Sequence, residues 1–186
     1  MALTIGGIDY PINVDYRVWI DVMRLLRDFI SAPTTQEHLD HNLKTIIEIE
    51  VLVFGEIIKQ PAKDIIDAIV DFSAGYPSAP IGEGNNTAQT YSFEWDINYI
   101  IIAIQNQYHI DLSYARTEPF HWWLFLVYFN ALAGEHYITR LMEIRGYTGK
   151  DPDQKRQAQR FALPRETTAD EQAQLDAFNA LFEGSE

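Results

Sequence analysis

The sequence predicts a mainly α-helical domain of several helices, with a small β-hairpin at its N-terminus and a helical extension at its C-terminus. Apolar residues recur at helical spacing along most of the chain, and strand-like alternation is confined to the first residues. One internal block is apolar enough to form a central buried helix. With 186 residues, 47% hydrophobic and 22% charged, the chain fits a single globular domain, which we expect over residues 1–163 with an extension over residues 164–186.

The hairpin is expected over about residues 3–12. Leu3, Ile5, Ile8 and Tyr10 alternate with polar residues on either side of a pair of glycines. This is the pattern of two antiparallel strands joined by a two-residue turn.

Three amphipathic helices are predicted next. The first runs from Asp15 to about Ile30. The second starts at the capping-box spelling TTQE from Thr34, and the third near Pro61, whose missing amide hydrogen suits a first helical turn. Their predicted apolar stripes are Val18, Val22, Leu25, Leu26 and Phe29; then Leu39, Leu43, Ile46, Ile47, Val51 and Phe54; then Ile65, Ile66, Ile69 and Phe72.

A loop rich in glycine and proline is predicted over about residues 75–90, and it divides the chain into two halves. A fourth helix follows and is expected to end at about His109. Its predicted apolar stripe consists of Phe93, Ile97, Ile100, Ile101, Ile104 and Tyr108.

The most apolar block reads EPFHWWLFLVYFNAL and begins at Glu118. Thr117, Glu118 and Pro119 form a helix-start signal, and eleven of the thirteen residues from Phe120 to Leu132 are apolar. A membrane span needs about 20 such residues, so a core helix buried on every side is the better interpretation.

A further helix is expected from about Glu135 to Gly146, with Arg145 placed to interact with the helix dipole. The remaining chain is polar, which suggests an appendage rather than core. Thr168 and Glu171 spell a second capping box, and this predicts one amphipathic C-terminal helix. Its apolar residues, Leu175, Phe178, Leu181 and Phe182, are candidates for partner contact, and docking back on the domain is the alternative.

Charge and composition exclude several classes of function. The net charge of -13 opposes binding to nucleic acid and to an anionic membrane surface, so neither partner is expected. The chain has no cysteine, which removes disulfides, thiol nucleophiles and cysteine-based metal sites. The first residues show no secretory signal, and we expect the protein to remain in the cytoplasm.

Candidate residues for metal or acid-base chemistry are few. His38 and His41 are three positions apart but lie on the polar side of their helix, so a solvated face is favoured over a metal site. Glu50 lies on an apolar stripe and is expected to pair with an arginine rather than act as a catalytic acid. His121 is expected to bond a backbone group or a carboxylate such as Asp96 or Asp111.

No nucleotide-binding, dinucleotide-binding or nucleophile-elbow motif occurs in the sequence. We therefore expect no enzymatic activity, no catalytic or metal site and no cofactor. An enzyme or metal protein built on the histidines remains a minor alternative.

Five short elements in order resemble a family of bacteriophage proteins known by gene-product number fifteen, encoded in the tail-gene cluster. The elements read DYRVWI, YSFEWD, YHIDL, FHWWLF and IRGY, and their order and spacing agree with the family over about residues 8 to 163. The signature residues, which we expect to be structural, are Asp15, Arg17, Trp19, Tyr91, Phe93, Asp96, Asp111, His121, Trp122, Trp123 and Arg145.

The chain departs from the family pattern at four positions. Ser92 stands where the family often has aspartate, His109 where it often has glycine, Phe120 for leucine and Leu124 for lysine. The tail beyond Pro164 is not covered by the resemblance.

The resemblance implies a non-enzymatic tail assembly chaperone of a long-tailed phage or prophage. Such a chaperone binds the long, helical, apolar tape measure protein in the host cytoplasm before the tail tube forms. The expected partners are the tape measure protein and other tail proteins, and a homo-oligomer is left open. The alternative is a structural minor tail or connector protein that stays in the virion tail.

Overall fold

The computed structural model describes residues 1–31, 36–76, 89–113 and 116–164, with backbone alone for residues 30, 31 and 36–41. The predicted fold class, mainly α with an N-terminal hairpin, is confirmed. Among the described residues, no helix combines the length and apolar character that a membrane span requires. The described elements are β1 (Ala2–Ile5), β2 (Ile8–Pro11), α1 (Tyr16–Ser31), α2 (Gln36–Phe54), α3 (Ala62–Ser73), α4 (Phe93–Tyr108), α5 (Trp122–Asn130), α6 (Tyr137–Arg145) and α7 (Pro152–Arg160).

The two strands form the predicted hairpin. Their antiparallel register pairs Ile5 with Ile8 and Leu3 with Tyr10. The two turn glycines have φ of 59° and 79°, a combination that a tight two-residue turn needs and that glycine adopts without strain. Because Ile5 is buried and β1 packs against α3, the hairpin is part of the domain.

The core lies where α1, α4 and α5 pack against one another. One face of α1 is buried, as its spacing predicts, and Tyr16 and Trp19 extend that face beyond the predicted stripe. Tyr16 stacks on Phe125 with ring centroids 4.8 Å apart. Its hydroxyl donates to the Leu112 carbonyl at 2.6 Å, so the buried phenol is satisfied.

The predicted buried face of α2 is only partly right. Leu43 and Val51 are exposed, whereas Ile49, Val53 and Glu50 are buried. The last turns of α2 carry apolar side chains in every direction, so their spacing fits more than one face. The Glu50 carboxylate accepts a hydrogen bond from the Ile58 amide at 2.8 Å, a backbone donor in place of the expected arginine.

The start of α5 also differs from the prediction. The helix begins at Trp122 rather than at Pro119. The preceding residues pair with the chain before α1: the Tyr16 amide donates to the Phe120 carbonyl at 2.8 Å, and the Trp122 amide donates to the Val14 carbonyl at 2.7 Å. These long-range bonds hold the segment extended, and a local start signal cannot predict them.

The expectation that α5 is buried on every side is wrong as well. Trp122, Phe125 and Phe129 are buried, but Leu124 and Val127 are 41% and 45% exposed. The buried residues lie on the side of α5 that packs against α1 and α4. The apolar block belongs to the core through that face alone.

The helix α6 ends at Gly146, as predicted, and α7 packs against it. The polar composition of residues 151–160 suggested an appendage, and α7 indeed buries no residue. A helix was not predicted there, although Asp151 caps it and Pro152 occupies its first turn, which together are a usual start pattern.

Several predicted features lie outside the described residues. They are the capping boxes at Thr34 and Thr168, residues 77–88 of the predicted loop, and the predicted C-terminal helix. The division of the chain at residue 164 therefore stays a prediction.

The helix α4 ends at His109 in a left-handed conformation, with φ of 57°. Glycine adopts this conformation at a helix end without steric cost, which explains why it suits the related family at this position. The exposed histidine therefore holds a conformation that is strained for a residue with a Cβ atom.

We predict that His109→Gly raises the free energy of unfolding by about 0.5–1 kcal/mol, because it removes this strain. Urea denaturation followed by circular dichroism measures the change. Asn106→Gly, inside the right-handed last turn of α4, is the matched control and should lose roughly 0.3 kcal/mol. A loss of stability in both variants would contradict the strain assigned to His109.

Candidate partner-binding surface

Three consecutive signature residues, His121, Trp122 and Trp123, join the start of α5 to the end of α3. The His121 Nδ1 accepts a hydrogen bond from the Trp123 amide at 3.1 Å and so caps the helix. The indole of Trp122 donates to the Ser73 carbonyl at 2.9 Å, and that of Trp123 donates to the Phe72 carbonyl at 2.8 Å. The last carbonyls of a helix lack intrahelical donors, so the two indoles satisfy the end of α3.

The backbone alternative predicted for His121 is confirmed, and the carboxylate alternative is wrong. Among the described residues, neither Asp96 nor Asp111 bonds to the ring; the His121 Nε2 lies 3.3 Å from the Met1 sulfur. Burial, together with the nearby positive N-terminus, lowers the pKa of His121. The neutral imidazole that can accept a bond from the Trp123 amide is therefore favoured.

Three signature aromatic residues surround the buried face of α5. Trp19 lies nearly parallel to Trp122, with ring centroids 6.4 Å apart, and Phe93 meets Trp122 edge-on at 5.5 Å. Tyr91 meets Phe129 at 4.9 Å, and burial raises the pKa of Tyr91. These rings serve the core, where aromatic pairs add to the free energy of burial.

Asp15 and Arg17 form a bidentate ion pair at the start of α1. The Arg17 Nε and Nη2 lie 2.9 and 2.6 Å from the two Asp15 carboxylate oxygens, and Nη1 donates to the Arg116 carbonyl at 2.8 Å. Burial opposes ionisation of Asp15, but the hydrogen bonds and charge of Arg17 hold its pKa below the usual range. The pair attaches the segment before α5 to α1.

Asp96 and Arg145 form the most buried ion pair of the described residues, with side chains 2% and 10% exposed. The Arg145 Nη1 and Nη2 lie 2.6 and 3.1 Å from the Asp96 carboxylate oxygens. The same guanidinium donates to the carbonyls of Thr90 at 3.1 Å and Phe161 at 2.7 Å. Arg145 lies in the last turn of α6, as the dipole prediction requires, and it also joins α4, α6 and the segment after α7.

Asp111 shapes the turn that follows α4. Its Oδ1 accepts hydrogen bonds from the Ser113 amide at 2.8 Å and the Gln105 side chain at 3.2 Å, and the Ser113 bond lowers its pKa. Each of the eleven signature residues thus contacts backbone or core of this chain. In the part of the chain that the structure describes, their geometry holds the helices together.

The described residues contain no group of three or more histidine, aspartate or glutamate side chains placed to hold a metal ion. The side chains of His38 and His41 lie outside the described part. His109 is exposed, and the Nε2 of His136 lies 2.8 Å from the Gln107 side-chain oxygen.

An exposed apolar patch lies on α4 and α6, and we call it the α4–α6 patch. Trp95, Tyr99 and Ile102 stand at helical spacing on α4 and are 56%, 44% and 54% exposed. Tyr137 of α6 is 53% exposed, and its ring lies 4.9 Å from that of Tyr99. Exposed apolar patches are frequent at contact sites, so this patch is a candidate partner-binding surface.

The patch was not predicted, because the spacing of apolar residues on α4 was assigned to the core face alone. The signal was nevertheless present in the sequence. Apolar residues at positions 95, 99 and 102 form a second stripe opposite the first, and no charged residue occurs from Ile97 to Tyr108. A surface helix normally carries charged side chains on its outer face.

The four residues predicted for partner contact, Leu175, Phe178, Leu181 and Phe182, lie outside the described residues. Their assignment stays a prediction. The α4–α6 patch is thus the candidate contact surface that the structure describes.

The family model described as Bacteriophage Gp15 protein matches residues 1–165. No curated protein and no solved structure matches the chain.

Proposed function

Because this chain belongs to the bacteriophage Gp15 protein family, we propose that it is a non-enzymatic tail assembly chaperone that binds the tape measure protein. Binding takes place in the host cytoplasm, before tail-tube protein assembles around the tape measure. The resemblance of the five sequence elements supports this role, and the family match covers the same part of the chain.

The α4–α6 patch is the observation that carries the proposal. Trp95, Tyr99 and Ile102 present apolar side chains along about two turns of helix, and Tyr137 widens the surface. Tryptophan and tyrosine supply large contact areas at low cost in conformational entropy, and they are frequent in binding hot spots. An apolar helix of the tape measure protein fits such a surface by packing along α4.

The charge of the chain supports a solubilising role. A net charge of -13 gives a complex of this protein with an apolar partner a strongly negative surface, which opposes aggregation. The uncharged outer face of α4 allows close approach of apolar side chains without burying an unpaired charge.

An affinity pull-down of the tagged full chain from infected or induced cells tests the identity of the partner. We expect the tape measure protein to be enriched over the same tag on an unrelated acidic protein. Enrichment of other tail proteins without the tape measure protein would refute the proposed partner.

A structural minor tail or connector protein is the second candidate function, because an exposed aromatic patch also suits a permanent contact within a particle. Quantitative mass spectrometry of purified mature particles separates the two roles. The chaperone is expected to be absent from these particles. Recovery of a fixed, stoichiometric number of copies would support the structural role instead.

A further inference from the structure

The described chain ends beside the first turn of α4. Arg145 bonds to the Phe161 carbonyl and, through the same guanidinium, to Thr90 and Asp96. Trp95, the first residue of the α4–α6 patch, precedes Asp96 directly. The described part of the chain therefore ends close to one end of the patch.

The apolar residues of this segment match the patch in length. Leu175 and Phe182 are seven positions apart, as are Trp95 and Ile102, and seven residues of helix span about 10 Å. The chain from Pro164 to Leu175 can extend to roughly 36 Å, which is ample to reach every part of the patch. The segment carries Phe178 and Leu181 between these ends.

The charge of the segment also favours this face. Residues 165–186 contain six acidic residues and one arginine, so they are repelled by most of an acidic surface. The outer face of α4 has no charged residue from Ile97 to Tyr108. On α6, the exposed Arg140 lies one helical turn after Tyr137, and the exposed Glu143 lies one turn further on.

We propose that residues 165–186 fold back on the α4–α6 patch of the same chain, with Leu175, Phe178, Leu181 and Phe182 against its apolar side chains. The segment covers the patch until a partner displaces it. The displacement rests on the proposed function, but the covering of the patch does not.

Acrylamide quenching of Trp95 fluorescence in the purified full chain tests the covering. The Trp95 signal is taken as the difference between each protein and the same protein carrying Trp95→Phe. We expect weak quenching in the native chain and severalfold stronger quenching in the Phe178→Ser, Phe182→Ser variant, because the patch then loses its cover. The matched control, Gln172→Ser with Asn179→Ser, changes polar residues of the same segment and should quench like the native chain.

Equal and strong quenching of Trp95 in all three proteins would overturn the proposal. Trp95 would then be exposed to solvent in the native chain as well, so residues 165–186 would not cover it. Shielding that disappears on dilution would also overturn it, because the cover would come from a second copy. Either failure leaves the pull-down of the tape measure protein unaffected, so the two proposals fail separately.

Discussion

Replacing Trp122 with alanine is expected to lower the free energy of unfolding by about 3–5 kcal/mol, the usual cost of removing a buried aromatic side chain. Trp122 is fully buried and contacts the rings of Trp19, Phe93 and Phe125. The substitution also leaves the Ser73 carbonyl without the indole donor, which adds to the loss. Urea denaturation followed by circular dichroism measures the change.

Two variants separate the contributions to this effect. Trp122→Phe keeps an aromatic ring and loses the indole hydrogen bond, so it should cost less than the alanine variant. Val127→Ala lies on the exposed face of the same helix, and we expect a change within about 0.5 kcal/mol. If Trp122→Ala and Val127→Ala lowered the free energy of unfolding equally, the conclusion that only one face of α5 packs in the core would be wrong.

Arg145→Met is expected to destabilise the protein by about 3–5 kcal/mol, because it leaves the buried Asp96 carboxylate without its charge partner. It also removes the donors to the carbonyls of Thr90 and Phe161. The same denaturation experiment measures this loss.

A double variant tests the reason for that loss. Arg145→Met combined with Asp96→Asn removes the unpaired buried charge, so it should be more stable than Arg145→Met alone. Lys63→Met breaks the exposed pair with Asp67 and should change stability by less than about 0.5 kcal/mol. If Arg145→Met behaved like Lys63→Met, the ion pair would not hold α4 and α6 together.

Local patterns predicted most helices of this chain because their start signals and apolar spacing depend on neighbouring residues only. The hairpin needed two glycines with positive φ, and the sequence places them between alternating strands. The predictions failed where distant residues decide the outcome. The backbone hydrogen bonds from Tyr16 to Phe120 and from Trp122 to Val14 keep the chain before Trp122 extended, so α5 begins later than predicted. The helix-start signal at Pro119 depends on neighbouring residues and does not include these distant bonds.

The same limit applies to the signature residues. The resemblance selected Asp96 and Arg145 as structural, but their pairing joins positions 49 residues apart and could not be derived from spacing. The α4–α6 patch was hidden for a different reason. A helix with apolar residues on two faces gives no indication of which face is buried, and only packing against α1 and α5 decides it.

We propose that the α4–α6 patch keeps the tape measure protein soluble, and co-expression of the two full-length proteins tests this role most directly. We expect the native chain and the control variant Leu124→Ser, Val127→Ser, which changes two exposed apolar residues of α5, to keep the tape measure protein in the soluble fraction. The variant Tyr99→Ser, Ile102→Ser should leave it in the insoluble fraction. A tape measure protein that is equally soluble with the patch variant, or insoluble with the native chain, would contradict the account.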